Sequence, residues 1–240
     1  MFHVVKENMK HYSYSILTPW GETFNNELIT KRGGDMAGQR KARVPVQSRG
    51  IETRSKIIDS GMYLFGKKGY HKTNAVEIAA HAGIGTGTFY SYFNNKKEVL
   101  TQGIKRFYQQ VTAIILNAVL AVSFEPSNIR ETICILIRTL VSAHEIDPDL
   151  HKQISAMILL DKDIEDLCAK EDMTVINLIK MYLETHKDLF LVTDYEAAAT
   201  TILRVCDEIV HRVKVFKTTI AGERLINELE DIMCRYLLKD

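Results

Sequence analysis

Few residues in this 240-residue chain can interrupt a helix, because it contains only four prolines and thirteen glycines. Strands at regular spacing would need more turn residues, so the sequence favours long helices after Gly87. No apolar run reaches the roughly 18 residues of a membrane span, and the N-terminus lacks the apolar segment of a signal peptide. These absences predict a helical protein that stays in the cytoplasm and contacts no membrane.

Cysteine pairs and catalytic signatures are also missing. The four cysteines (Cys134, Cys168, Cys206 and Cys234) are far apart among apolar neighbours, which predicts reduced, buried thiols. The eight histidines show neither H-E-x-x-H nor a Cys/His ligand spacing, and no G-x-S-x-G elbow occurs. The glycine-rich run 83–88 lacks the G-K-[ST] ending of a phosphate-binding loop. We therefore predict no metal, no cofactor and no enzymatic activity.

Charge is distributed unevenly, although the net charge is only +1. Residues 1–106 contain 17 Lys and Arg against 8 Asp and Glu, a net charge of +9. Residues 107–240 contain 14 against 22, a net charge of −8. A basic first part joined to an acidic second part is typical of a nucleic-acid-binding module followed by a domain with another task.

Residues 1–49 have no sustained period and are predicted to be an extension that is partly disordered. The end of this extension is basic, with Arg40, Lys41, Arg43 and Arg49. Basic arms of this kind add phosphate or minor-groove contacts, and a merely solvated tail is the alternative. Met36 precedes the arm and is an alternative start of translation.

The stretch 73–93 predicts two short helices joined by a tight turn at Gly83. Thr73 or Asn74 can cap the first helix, and Ile84 is expected to pack back into the core. The apolar side of this first helix is predicted to consist of Val76, Ile78, Ala79 and Ala82. Phe89 and Phe93 share one face of the second helix. Its other face is uncharged and carries Thr86, Gly87, Thr88, Tyr90, Ser91 and Tyr92. This pattern indicates either a helix-turn-helix that reads the DNA major groove or an ordinary helical hairpin.

The motif residues also resemble a known family. Thr73, Ile78-Ala79, Ala82-Gly83-Ile84, Gly87-Thr88-Phe89-Tyr90, Tyr92-Phe93 and Lys96 stand in the order and spacing of the TetR/AcrR (tetracycline-repressor) family of bacterial transcriptional regulators. The resemblance extends from Ile51 to about Phe107, and it departs from the family at Gly85, where many members carry Ser. The missing hydroxyl removes one phosphate contact or helix cap.

The resemblance implies an all-α protein with a helix-turn-helix at 73–92, inside a three-helix DNA-binding domain of residues 50–110. A long fourth helix would join it to a helical ligand-binding and dimerisation domain of residues 111–240. By resemblance, the chain is expected to be a regulator, usually a repressor, that binds a palindromic double-stranded DNA operator as a homodimer and is released by an unidentified small molecule. The alternatives are an architectural DNA-binding protein without a ligand response and a small helical enzyme.

The residues expected to contact DNA are Arg49, Thr53, Lys72, Thr73, Thr86, Gly87, Thr88, Tyr90, Ser91, Tyr92 and Lys96. Within this set, Lys72 and Thr73 are expected at phosphates, and Thr88 and Tyr90 among the contacts of the recognition helix. The resemblance gives Lys96 a phosphate contact as well.

Periodicity predicts further helices over 52–67, 96–122, 126–144, 148–160 and 164–187, an eighth that Asp194 caps, and a last helix near the C-terminus. Arg204, Asp207 and His211 share a face of the eighth helix, either as a polar part of a ligand pocket, as a dimer network, or as a solvated side with one ion pair. The candidate pocket residues are Phe107, Val111, Met157, Met181, Tyr182, Arg204 and Asp207, with plain core packing as the alternative. The predicted dimer interface consists of Ile202, Val205, Ile209, Val213, Leu225, Leu229, Ile232 and Tyr236.

Overall fold

The computed structural model describes residues 48–121, 127–143, 148–216 and 218–239. Within these ranges the chain forms nine α-helices: α1 (Ser48–Lys68), α2 (Ala75–His81), α3 (Thr86–Tyr92), α4 (Lys96–Ala121), α5 (Ile129–Ala143), α6 (Pro148–Leu160), α7 (Lys162–Thr185), α8 (Tyr195–Lys214) and α9 (Gly222–Leu237). An isolated antiparallel bridge pairs Phe190 with Leu238, tying the segment after α7 to the end of α9. The all-α prediction is confirmed.

Several helix ends differ from the sequence prediction. Helix α1 begins at Ser48 rather than at Glu52, and α7 ends at Thr185. Helix α5 begins at Ile129. The predicted start at Pro126 lies outside the described residues, as do Met36 and the arm residues Arg40, Lys41 and Arg43. Asp194 does cap α8, because its side chain accepts a 3.0 Å hydrogen bond from the amide of Ala197.

Within the described residues, two large hydrophobic cores lie along the molecule, besides a small cluster of Ile176, Ala199 and Leu203. The first core joins α1–α4 to α6 and the start of α7, and its buried members include Ile57, Phe65, Phe89, Phe93, Leu100, Ile104, Met157 and Ile164. The second core joins α5, α8, α9 and the end of α7, and its buried members include Ile133, Leu183, Cys206, Leu229 and Met233. The predicted DNA-binding helices therefore complete their core with α6 and α7, which come from the second half of the chain.

Helices α1 and α4 cross at unusually close range at Gly61 and Gly103. A Cβ atom on Gly61 would lie 2.4 Å from Cγ1 of Val99, and one on Gly103 would lie 2.0 Å from Sδ of Met62. Real Cβ atoms are not found at such distances, so a side chain at Gly61 would have to displace the stiff Val99, whereas the flexible Met62 side chain can move away from position 103.

Replacing Gly61 by alanine is therefore expected to destabilise the protein, although alanine is the better helix former. The propensity gain is about 1 kcal/mol, whereas forcing a methyl group against the stiff Val99 side chain costs about 1–3 kcal/mol. Gly87→Ala is the matched control, because nothing lies within 4 Å of a Cβ there and the same propensity gain is unopposed. Urea unfolding should show a lower free energy of unfolding for Gly61→Ala and a higher one for Gly87→Ala. An increase in both variants would contradict the tight crossing.

Candidate nucleic-acid interface and ligand cavity

Helix α2 starts with a reciprocal cap made by Asn74 and Glu77. The Asn74 side chain accepts a 3.0 Å hydrogen bond from the Glu77 amide, and the Glu77 carboxylate accepts one of 3.2 Å from the Asn74 amide. Glu77 also pairs with Lys68 at the end of α1, which lowers the pKa of its carboxyl. Of the two predicted caps, Asn74 is the one that the structure uses, and α2 is fixed to α1 at this point.

Thr73 is buried and has a different task from the predicted phosphate contact. Its hydroxyl donates a 3.0 Å hydrogen bond to the Gly69 carbonyl oxygen, back towards α1. The side chain therefore braces the loop between α1 and α2 and does not reach the molecular surface.

The turn between α2 and α3 follows the sequence pattern. Gly83 adopts φ 69°, a left-handed conformation that favours glycine, and the Ile84 amide donates a 3.0 Å hydrogen bond to the Ala79 carbonyl. Ile84 packs against the first core. Val76 is 58% exposed, contrary to the prediction, because two residues of helix place it about 200° around the axis from buried Ile78.

Helix α3 presents the uncharged surface that the sequence predicted. Phe89 and Phe93 are fully buried on its inner side, whereas Gly87, Thr88, Tyr90 and Ser91 are exposed on its outer side. Thr86 and Tyr92 are partly buried, and Tyr92 packs against the first core. Gly85 occupies the N-cap and makes no side-chain hydrogen bond, so the departure from the family pattern leaves the first turn of α3 without a cap.

Exposed cations flank this helical pair. Arg49 at the start of α1 and Lys72 before α2 are both exposed, while the Thr53 hydroxyl donates a 2.9 Å hydrogen bond to the Arg49 carbonyl. Cationic side chains beside an uncharged recognition surface suit phosphates on either side of a groove. The predicted contacts at Arg49, Thr53 and Lys72 stay predictions.

Lys96 is partly buried, and backbone carbonyls of the loop before α2 engage its ammonium group. Its ammonium group donates hydrogen bonds of 2.8 Å to the Tyr70 carbonyl and 2.7 Å to the Thr73 carbonyl. It also lies 4.5 Å from the centroid of the Tyr70 ring, and burial lowers the pKa of this amine. Lys96 thus fastens the first turn of α4 to the loop that precedes the helix-turn-helix, and its predicted phosphate contact stays a prediction.

Two further contacts join the predicted DNA-binding helices to α6 and α7. Lys97 pairs with Asp161 at 2.8 Å and with Asp163 at 2.6 Å, and these carboxylates raise the pKa of the Lys97 amine. The Tyr70 amide donates a 3.3 Å hydrogen bond to the Gln153 side chain on α6. The loop before α2 is therefore in contact with both α4 and α6.

A cavity of about 290 Å³ lies among helices α4 to α9. Among the predicted pocket residues, Phe107, Val111, Tyr182 and Asp207 line it. Met157, Met181 and Arg204 do not. Met157 is instead buried in the first core, because α6 turns this side chain towards α1 and presents His151, Ile154, Ser155 and Ile158 to the cavity.

One end of the cavity is polar. The Tyr108 hydroxyl donates a 2.9 Å hydrogen bond to Asp172, whose second oxygen lies 2.7 Å from the Arg204 guanidinium. Asp207 lines the same end, where burial and the nearby Asp172 charge raise the pKa of its carboxyl to about 7. The rings of His151 and His211 lie 5.5 Å apart between their centroids, and both line the cavity.

Sequence reasoning missed Tyr108, Asp172 and His151. A usable signal existed for Asp172, because it interrupts an apolar stripe of α7 that runs through Ile164, Cys168 and Ile176 at intervals of four. An acid at such a position is buried, and buried acids are held by partners or lie at functional sites. The opposite end of the cavity is apolar, with Ile129, Ile133, Phe190, Met233 and Leu237.

The residues predicted for a dimer interface are divided between core and surface. Four residues of α8 are partly buried against the second core of the same subunit: Ile202, Val205, Ile209 and Val213. Leu229 is a fully buried member of that core, so it cannot contact a partner. On α9, Leu225 is partly buried, whereas Ile232 and Tyr236 are 52% and 40% exposed.

Two models of known protein families match this chain. The family model described as "Bacterial regulatory proteins, tetR family" matches residues 57–102, within the predicted domain of 50–110, and "Tetracyclin repressor-like, C-terminal domain" matches residues 129–237. The chain belongs to the TetR family. Proteins of this family are transcriptional regulators and not enzymes, so this TetR-family protein is a DNA-binding transcriptional regulator of the helix-turn-helix type.

Individual relatives of this TetR-family protein are distant. The uncharacterized HTH-type transcriptional regulator YdgC of Bacillus subtilis is 23% identical over 107 residues, which span 45% of this chain and 55% of YdgC. SmeT, described as the repressor of the Stenotrophomonas maltophilia multidrug efflux pump SmeDEF, is 18% identical with a TM-score of 0.61, covering 78% of this chain and 91% of SmeT. The fatty acid degradation regulator FadR of Bacillus halodurans is 20% identical with a TM-score of 0.60, covering 75% and 94% of the two chains. At these identities the two structures support the fold alone.

The described residues contain no helix that is long and apolar enough to cross a membrane. Within the same ranges, no group of three or more His, Cys, Asp or Glu side chains is placed to hold a metal ion.

Proposed function

We propose that this TetR-family protein is a repressor that binds a palindromic operator as a homodimer and leaves it when a small molecule occupies the cavity. The observation that carries the proposal is the position of α4. Its first turn is fastened to the helix-turn-helix loop through Lys96 and to the α6–α7 corner through Lys97. Its later residues, from Phe107 to Val119, line the cavity.

DNA recognition is assigned to the outer side of α3. Thr88, Tyr90 and Ser91 are exposed there, and hydroxyl groups bond to base edges or phosphates, while the Thr methyl group can meet a thymine methyl. Gly87 lets the helix approach the groove closely, since it carries no side chain. Because α3 carries no charge, it would contribute to DNA affinity mainly through contacts with bases and not through attraction to phosphates.

Dimerisation is assigned to the exposed apolar edge of α9 and the adjoining end of α8. Ile232 and Tyr236 project from α9, and Phe216 and Ile220 at the α8–α9 connection are also exposed. Two copies of this edge related by a two-fold axis would bury those side chains against each other. A symmetric dimer would place two recognition helices about one DNA turn, roughly 34 Å, apart.

Release by a ligand is supported by the contacts of α6 as well as α4. His151 and Gln153 stand two residues apart on α6, and while His151 lines the cavity, Gln153 accepts the hydrogen bond from the Tyr70 amide. A ligand that displaces either helix therefore acts on the loop that positions α2. A tenfold loss of operator affinity needs about 1.4 kcal/mol of preferential binding to the non-binding state. An architectural DNA binder would have no need of such a cavity.

A selection from random duplex DNA followed by an interface variant tests the proposal. The wild type is expected to select inverted repeats. Ile232→Arg should then sediment as a monomer and bind the selected operator at least about a hundredfold more weakly, because a single recognition helix reads only one half-site. The subunit should still fold, because the side chain at position 232 is already half exposed.

Leu159→Arg is the matched control for this charge, since Leu159 is 87% exposed on α6, away from α9. It should remain a dimer with wild-type operator affinity. A dimeric Ile232→Arg would refute the assigned interface. A wild type that selects no preferred sequence would refute operator binding itself.

A further inference from the structure

We propose that the cavity takes an elongated apolar molecule with one positive charge, its cationic head against Asp207 and its tail towards Met233 and Leu237. This inference rests on the proposed function, because it specifies the chemistry of the molecule that would occupy the cavity.

The first argument is the uneven polarity of the cavity wall. Side chains with hydrogen-bonding groups cluster where α4, α6, α7 and α8 meet, and they are Tyr108, Thr112, His151, Ser155, Asp172, Asp207 and His211. From there the wall becomes mostly apolar towards α5 and α9, where Tyr182 beside Phe190 carries a hydroxyl group. The lining of α4 runs from Phe107 to Val119, which corresponds to about 18 Å along the helix axis. The cavity therefore matches a molecule with one polar head and a long apolar body.

The second argument is the charge at the polar end. Asp172 is already compensated, because it receives the Tyr108 hydroxyl and the Arg204 guanidinium. Arg204 does not line the cavity, so its charge is not offered to a ligand. Within the described residues, no hydrogen bond or ion pair reaches Asp207, although its carboxyl lines the wall. The ionised polar end thus carries one carboxylate in excess, which favours a cationic head over an anionic one.

The third argument concerns protonation. The groups that surround Asp207 are Tyr108 on α4, His151 on α6, Asp172 on α7, and Arg204, Cys206 and His211 on its own helix. Without a ligand, burial and Asp172 hold the Asp207 pKa near 7, so about a tenth of the carboxyl is ionised at pH 6 and about nine tenths at pH 8. A cation binds the ionised form, and its affinity should therefore rise about tenfold over this interval.

The test compares three probes with straight apolar tails whose heads are positive, neutral and negative: decyltrimethylammonium, 1-decanol and decanoate. Each is titrated into the full-length protein by calorimetry, below the concentration at which it forms micelles. At pH 8 the wild type should bind decyltrimethylammonium at least about tenfold more tightly than 1-decanol, and decanoate most weakly. Because the quaternary head has no proton to lose, any change in its affinity with pH reports on the protein.

Two variants test whether Asp207 is responsible for the preference for the cationic probe and for its pH dependence. Asp207→Asn should lower the affinity for decyltrimethylammonium about tenfold at pH 8, abolish most of its pH dependence and leave 1-decanol binding within about twofold. Glu208→Gln is the control, because Glu208 is the next acid on α8 but is exposed and paired with Arg212. This variant should bind all three probes as the wild type does.

Three results would overturn the inference: decanoate binding as tightly as the cation, no probe binding, or a cation affinity that does not change between pH 6 and pH 8 in the wild type. Operator affinity, measured with each probe present, separates this inference from the proposed function. If 1-decanol or decanoate releases the protein from the operator and the cation does not bind, the proposed release by a ligand is supported and the proposal that the ligand is a cation is refuted. If the cation binds through Asp207 without changing operator affinity, the proposal that the ligand is a cation is supported and the proposed release by a ligand is refuted.

Discussion

Replacing Asp207 by asparagine is expected to raise the free energy of unfolding by about 2–4 kcal/mol at pH 8. Burial, followed by the Asp172 charge, raises the Asp207 pKa from 3.8 to about 7 in the folded chain, and Arg204 offsets only part of this increase. Raising the pKa of a carboxyl by one pH unit costs its ionised form about 1.4 kcal/mol. The lower part of the range is the realistic one, because the carboxyl is open to the cavity.

The sign of the pH dependence follows from proton binding. The folded protein holds the Asp207 proton more tightly than the unfolded chain does, so the wild type loses stability as the pH rises from about 4 to about 7. Asparagine carries no such proton. The advantage of Asp207→Asn should therefore be small near pH 4, grow by about 1.4 kcal/mol per pH unit at most, and level off above pH 7.

Urea unfolding of wild type and variant at four or five pH values gives this difference directly. Glu208→Gln should differ little from wild type at every pH, because an exposed ion pair contributes little to stability. If the difference between Asp207→Asn and wild type did not change with pH, the folded protein would not hold the Asp207 proton more tightly than the unfolded chain does.

Replacing Lys96 by methionine is expected to lower the free energy of unfolding by about 2–3 kcal/mol and to weaken operator binding at least about tenfold. Methionine keeps an unbranched side chain but cannot donate to the carbonyls of Tyr70 and Thr73, and a hydrogen bond from a charged group contributes about 1.5–3 kcal/mol. The loop before α2 would lose its contact with α4. The recognition helix would then be held less firmly in the orientation that binds DNA.

The salt dependence of operator binding separates this explanation from a phosphate contact. Because the ammonium group is used internally, Lys96→Met should leave the slope of log affinity against log salt unchanged. Lys72→Met is the matched control, since Lys72 is exposed. If Lys72 meets a phosphate as predicted, its replacement should reduce the slope by about 0.9 and leave stability unchanged. A comparable reduction of the slope in Lys96→Met would show that Lys96 binds a phosphate after all.

The helix-turn-helix could be predicted from sequence because local rules determine it. A four-residue interval puts Phe89 and Phe93 on one side of α3, and a glycine permits the turn at position 83. The internal role of Lys96 could not be predicted in this way. Its partners at Tyr70 and Thr73 precede it by 26 and 23 residues, and only the packing of α4 against the loop brings them together.

The cavity and the interface were harder to predict. Helical periodicity distinguishes residues that face inward from residues that face outward, but it does not show which inward-facing residues line a cavity. Val111 and Met157 are both inward-facing apolar residues, yet one lines the cavity and the other fills the first core. On α8, the apolar surface is wide enough to include the fully buried Ala199 and Val210 as well as the predicted interface stripe. A wide stripe does not reveal which of its edges faces the same subunit and which would face a partner.

The close crossing of α1 and α4 determines where the molecule can bend. At Gly61 the Val99 side chain, and at Gly103 the Met62 side chain, packs directly against the backbone of the opposite helix, so neither helix can tilt without carrying the other. The first cavity-lining residue of α4 is Phe107, one turn beyond Gly103. A displacement of α4 at the cavity would therefore carry α1 with it, together with the helices that the first core holds against α1.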